Sequence, residues 1–241
     1  MKIKYLVLPL FCISGSVEAK VARLVTFPIP LFVESKDKGS FLKLANEISS
    51  RTKSKFKVEV LTSNKAKLAF SNGKAEGFFP GMDNSVPKDA LKSTPFYIRT
   101  NFIFYREKRP LKTFKELYGK NVGLTFRYHY PAEIQENSKV KFIYADDDVA
   151  NMRRLADGTI DAFIVEERSG LRALELSKVQ GINYSRENPV SSQDCYFAFR
   201  NDEEGQNLLK EFNTVLEQMK ADGSLQKVLK LTEPSVMKSN L

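Results

Sequence analysis

The amino-acid sequence predicts an α/β protein of two lobes, each a mixed sheet flanked by helices, with a cleft between them. Three observations carry that prediction. Two successive stretches, up to Met82 and from about residue 107 to residue 188, alternate short apolar runs with amphipathic ones in the order β-α-β-α-β. That is the pattern of a largely parallel sheet with helices on its faces. An aromatic run, Phe96 to Tyr105, joins the two series and is long enough to cross between lobes. After a further strand-like run, Cys195 to Arg200, helical stretches return the chain to the first lobe.

Taken in order, Val21 to Thr26 reads as a short strand, and the prolines of FPIP end its pairing and stiffen the next loop. Gly39-Ser40 opens a helix whose Phe41, Leu44, Ala45 and Ile48 share one apolar face. Phe56 to Leu61 alternates as a strand, Asn64 is placed to cap the short helix KAKLAF, and AEGFFPGM reads as a third strand running into a loop. In the second series, LKTFKELYGKNVGL suggests a short helix, a stop at Gly119 and a strand at Val122. TFRYHYP then makes a loop, and Val140 to Tyr144 another strand. Asp146 to Asp148 suit a helix start, because acids favour the positive end of its dipole. The helix VANMRRLA stops at Asp157-Gly158, and the apolar run Ile160 to Val165 follows. Last come a long helix from Glu203, striped by Leu208, Leu209, Phe212, Val215, Leu216 and Met219, and a final helical stretch after Gly223. The crossings between lobes fall near 98–106 and 189–196. The expected division is therefore 20–105 with 190–241 as a discontinuous first lobe and 106–189 as the second.

Residues 1–19 read as a signal peptide: two lysines in MKIKY, a short apolar core, and Val17-Glu18-Ala19 before a cleavage point after Ala19. Removing them leaves 36 basic against 28 acidic residues, so the exported chain stays basic. The lysines are spread along the chain and the aromatics lie inside apolar runs, which argues against nucleic acid as a partner. A basic exported protein more often meets anionic surfaces or acidic solutes. Only Cys195 remains after cleavage, in the strand-like DCYFAF, so it is expected as a buried free thiol.

The stretch IDAFIVEE ends a buried strand on two acids, Glu166 and Glu167. Adjacent strand residues face opposite ways, so only one of them points into a cleft. Glu166 is the candidate, suited to holding a cationic group by charge-assisted hydrogen bonding. A partnered surface acid is the competing reading.

Five segments then resemble, in order and spacing, the family 3 periplasmic solute-binding proteins, the receptors of polar amino-acid ABC importers. They are TFPIPLFVESKDKGSFLKLANEI, STPFYIRTNFIFY, LKTFKELYGKNVGL, RRLADGTIDAFIVEE and KADGSLQKVLKL. The resemblance spans nearly all of the chain after residue 19. It implies the type II, periplasmic binding protein-like form of the two-lobed fold. In that family an aromatic after the first strand packs on the ligand, which points to Phe27, with Phe32 second. A loop threonine and arginine then hold the ligand. The matching loop, GMDNSVPKDALKSTPFY, has no arginine and offers Asp83, Ser85 and, as the nearest cation, Lys88. In the second lobe the family sets the ligand carboxylate at a helix N-terminus, where free N–H groups and the dipole favour an anion. The match is Thr125 to His129, with Arg127 at or beside the usual glycine and Tyr128 next to it. The family's ammonium-binding acid, five residues after the Asp of Asp-Ala, maps to Glu166.

The resemblance thus implies a periplasmic receptor, not an enzyme, that closes on a small polar solute, most simply an amino acid or related zwitterion, and delivers it to an inner-membrane ABC permease. A monomer is expected, with no cofactor, no metal and no nucleic acid. The alternatives are a sensory module that presents its ligand to a membrane receptor, and a dehydratase-like enzyme on the same scaffold.

Overall fold

The computed structural model describes residues 21–231; the signal segment lies outside the described residues. In chain order the elements are β1 (Ala22–Thr26), α1 (Ser40–Arg51), β2 (Phe56–Val60), α2 (Ser63–Ser71), β3 (Gly77–Gly81), β4 (Leu91–Lys92) and β5 (Tyr97–Arg106). A 3-10 turn at Phe114–Leu117 leads to β6 (Asn121–Thr125), α3 (Ala132–Gln135), β7 (Lys141–Ala145), α4 (Asp148–Asp157), β8 (Ala162–Glu166), α5 (Glu167–Ser177) and β9 (Ile182–Tyr184). β10 (Ser191–Phe199), α6 (Glu203–Ala221) and α7 (Ser224–Leu229) complete the described chain.

The strands run in the order β2-β1-β3-β10-β5-β8-β6-β7, with β4 beside β10 and β9 beside β5. β1 pairs in parallel with β2 and β3, and β6 pairs in parallel with β7 and β8. The two parallel halves are joined by antiparallel strands. β5 meets β10 over residues 97–101 and β8 over residues 101–105, and β10 continues onto β3. Two strands, β5 and β10, thus carry hydrogen bonding from one half to the other.

Each half buries both faces of its sheet, as helices on both sides require. Along β1, Leu24 packs with α1 and α6, whereas Val25 packs with Phe70 and Phe78 on the opposite face. Along β8, Ile164 joins one cluster with Leu124 and Tyr130, and Phe163 and Val165 join another with Met152 and Leu155. That is the period of two expected of a strand covered on both sides.

The helix ends follow local chemistry. Asp147 caps α4 by accepting from Ala150 N at 2.7 Å, and Gly158 ends it at φ 85°, the left-handed conformation glycine adopts without a Cβ penalty. Asp202 caps α6 in the same way. Asn64 does not cap α2: Thr62 holds that position, with no side-chain bond, and Asn64 lies in the first turn. The loop after β6, residues 126–131, runs directly into α3 at Ala132. No helix among the described residues is long and apolar enough to cross a membrane.

Candidate functional site

The C-terminal ends of β1, β6, β7 and β8 open onto one cavity of about 550 Å³ between the two halves. This is where α/β sheets place ligands, because the loops after the strands converge there. One half contributes Phe27, Phe32, Asn64 and Met82; the other contributes Thr125, Tyr128, Asp148 and Glu166. Tyr97 and Arg99 on β5 lie along the wall where the halves meet.

Glu166 is the last residue of β8 and the N-cap of α5. Its Oε2 accepts from Ser169 N at 2.8 Å, and its Oε1 accepts from the Tyr97 hydroxyl at 2.6 Å. Only 3% of it is exposed. A carboxylate has roughly four acceptor directions, so two bonds leave it able to take a further donor from the cavity. Glu167 turns away as the first residue of α5, accepting from the Tyr184 hydroxyl and from Arg186 Nε.

A second buried carboxylate faces the same space. Asp148 accepts from Thr125 Oγ1 at 2.5 Å and from the Tyr128 hydroxyl at 2.8 Å. Burial raises its pKa, against the lowering effect of those two hydroxyls. Asp148 had been legible only as a helix start. The signal that locates it is its place directly after β7, at the mouth shared by the neighbouring strands. Burial likewise raises the tyrosines that donate to these acids, Tyr97 and Tyr128, so both stay protonated donors.

The cations divide by their partners. Arg99 donates from Nη1 to the His129 carbonyl at 2.8 Å, and its guanidinium carbon lies 5.3 Å from the Tyr128 ring centre and 5.5 Å from that of Tyr130. Arg127, in the left-handed region at φ 69°, lines the cavity but is exposed. Arg172 is paired with Glu175 at 2.6 Å. Arg99 was missed by sequence reasoning because it sits in an apolar strand. The polar alternation Tyr97, Arg99, Asn101 within that strand was the signal for it.

Of the residues expected at a ligand, the structure brings Phe27, Phe32, Thr125, Arg127, Tyr128 and Glu166 to the cavity wall. Phe27 and Phe32 also belong to the core, stacked on Phe78 and packed against Phe41 and Tyr97 respectively. Three expected residues lie off the wall. Asp83 pairs with Lys92 at 2.7 Å and accepts from the Tyr196 hydroxyl, Ser85 Oγ turns back onto the backbone of Met82, and Lys88 is exposed on the loop. Three of the four backbone donors expected at residues 125–128 are already bonded. Thr125 N donates to the Tyr130 hydroxyl, Phe126 N to the Ala145 carbonyl and Tyr128 N to the Thr125 carbonyl. Those donors are spent inside the fold.

Cys195 is a free thiol, 2% exposed, and burial pushes its pKa up to about 12. It is therefore held as an unreactive thiol. Among the described residues no group of three or more His, Cys, Asp or Glu could hold a metal ion.

His129 joins the two halves. Lys67 Nζ on α2 donates to His129 Nε2, which places the ring proton on Nδ1. Burial, reinforced by the cations of Lys67 and Arg99, lowers the His129 pKa from 6.5 to about 4. The unfolded chain takes up a proton near the ordinary value that the folded protein refuses until about pH 4. Stability from this group is thus complete above about pH 6.5 and declines as the pH falls toward 4, by on the order of 2–3 kcal/mol. His129→Gln removes that part of the acid sensitivity. Urea unfolding of both proteins at pH 7 and pH 4.5 checks it, and equal losses in the two would exclude His129 as the source.

An ancestral arginine-binding protein bound to arginine superposes with a TM-score of 0.68, at 20% identity, covering 87% of this chain and 96% of that one. The GluR0 ligand-binding core from Nostoc punctiforme in complex with L-glutamate gives 0.72, at 16% identity, covering 88% and 100%. The fold is that of the two-lobed, type II periplasmic binding proteins. The arginine-, lysine-, histidine-binding protein ArtJ from Geobacillus stearothermophilus gives 0.67, at 15% identity, covering 90% and 97%. No protein-family model matches the chain, and no curated protein does. The two halves described above are thus the two lobes of this architecture, with the cavity in the cleft between them, as the order of strands and helices in the sequence predicts.

Proposed function

We propose that the protein is an exported periplasmic receptor that closes its two lobes on a small polar solute, an amino acid or related zwitterion, and delivers it to an ABC importer of the inner membrane. The observation that carries this reading is a cleft cavity with a buried carboxylate, Glu166, on one side and, on another, an arginine that forms no ion pair among the described residues. Such a pair of poles suits a ligand that bears both charges. Phe27 and Phe32 would pack on its carbon skeleton, and Glu166 would hold its ammonium. Asp83, Ser85 and Lys88 have no part in it. Lobe closure needs only that the ligand contact both lobes better when they are shut, and no bond is made or broken.

The likeness in fold to proteins that bind arginine, lysine, histidine or L-glutamate supports an amino acid as the ligand class. The likeness to a GluR0 ligand-binding core also favours a second reading, in which the bound form is presented to a membrane receptor. In either case residues 1–19 direct export, residues 106–189 form the second lobe, and the protein works as a monomer. Co-purification from membranes separates the two readings: recovery of a permease supports import, and recovery of a receptor without one supports sensing.

The test of binding is thermal unfolding against amino acids, polyamines, small acids and peptides. A ligand at about 100 times its Kd stabilises the folded state by about 2.7 kcal/mol, which for a chain of this size raises Tm by roughly 5–10 °C. At least one amino acid is expected to do so. If none shifts Tm, the amino-acid assignment fails; turnover of a bound compound would replace the receptor with an enzyme.

A further inference from the structure

We infer that Arg99, on the strand that crosses between the lobes, takes the carboxylate of the ligand and so makes the cleft selective for zwitterions over the matching compounds without that charge. The inference rests on the reading of the protein as an amino-acid receptor and names the residue that sets its specificity.

Register places the two poles side by side. Asn101 on β5 lies opposite Glu166 on β8. Tyr97, Arg99 and Asn101 share one face of β5, because strand side chains alternate. Arg99 is one pleat repeat from Asn101, so its backbone stands about 8 Å diagonally from that of Glu166. Tyr97, the next residue on that face, already touches Glu166 through its hydroxyl. An ammonium on Glu166 therefore leaves an attached carboxylate within reach of Arg99.

The guanidinium is preorganised and incompletely used. Tyr128 and Tyr130 fix its plane and the His129 carbonyl takes one of its five N–H donors. Among the described residues it forms no ion pair, although it is half-buried. The Asp148 carboxylate feels its charge without forming an ion pair with it, so a carboxylate ligand supplies the direct counter-ion, in the bidentate geometry a guanidinium favours. The alternatives are weaker. Arg127 is exposed and its side chain has no hydrogen bond or ring contact among the described residues, Arg172 is paired with Glu175, and the backbone N–H groups of residues 125, 126 and 128 are already bonded.

The test titrates the native protein calorimetrically with the twenty common L-amino acids and compares the tightest binder with its own α-carboxamide. The native protein should prefer the acid to the amide by at least about 10-fold. Arg99→Met should weaken the acid about 10- to 100-fold and the amide less than about 3-fold, so that the preference collapses. Binding of the amide shows that the variant's cleft is intact. Should Arg99→Met not fold, Arg99→Lys keeps the charge but not the fork, and should reduce the preference by about 3- to 10-fold. Arg127→Met should leave it unchanged. An unchanged preference in the folded Arg99 variant, an equal loss of acid and amide, or a collapse in Arg127→Met alone overturns the assignment. If the native protein binds no amino acid, this assignment falls together with the reading beneath it.

Discussion

Glu166→Ala is expected to weaken ligand binding about 10- to 100-fold and to lower the free energy of unfolding by about 2–4 kcal/mol. Two structural roles meet in this side chain. It caps α5 through Ser169 N, and loss of a cap costs about 1 kcal/mol. It also accepts from the Tyr97 hydroxyl, which is buried and would be left without an acceptor, at about 1–3 kcal/mol. The binding loss comes from a separate cause, removal of the charge that faces the ammonium. Glu166→Gln separates them. Its amide oxygen can accept from Ser169 N while its NH₂ donates to the Tyr97 oxygen, because a hydroxyl both donates and accepts. The glutamine variant should keep its stability to within about 1 kcal/mol yet bind as weakly as the alanine variant. Denaturant unfolding and calorimetry on both proteins check this. A glutamine variant that binds like the native protein would remove the charge of Glu166 from recognition.

The largest loss of stability is expected away from the cleft, at Phe212→Ala. This ring on α6 is fully buried and lies 5.1, 5.0 and 4.9 Å from the rings of Phe56, Phe197 and Phe199. Truncating a buried phenylalanine costs about 3–5 kcal/mol, from lost transfer energy and from the cavity left behind. For a chain of this size that is roughly a 6–20 °C fall in Tm. Ligand affinity should not change, since Phe212 lies in the core of the first lobe and lines no part of the cavity. Thermal unfolding and titration of the variant test both halves of the statement. A loss below about 1 kcal/mol would mean that α6 does not close this core.

The fold was largely readable because its signals are local. The apolar stripe of α6, the face made by Phe41, Leu44, Ala45 and Ile48, and the glycine stop at Gly158 each depend on residues within a few positions of one another. α5 was not read as a helix of its own, since its cap is an acid that alternation assigned to the end of a strand. Both descriptions hold for Glu166: it ends β8 and starts α5.

The site was readable only where one segment supplied it. The sequence alone determined most of the elements and their order, and the place of Glu166 at a strand end, because these follow from local patterns; Glu167 turns away as the first residue of α5 and not by strand alternation. Tertiary structure decided which residues share the cleft. Tyr97 reaches Glu166 across 69 positions, Thr125 reaches Asp148 across 23, and Lys67 meets His129 across 62. It also set Asp83, Ser85 and Lys88 off the cavity wall, although Met82 of the same loop lines it, and brought in Arg99 from a strand that reads as core. The physical reason is that such meetings are set by strand register and by how two sheets share β5 and β10, and neither leaves a spacing in the chain.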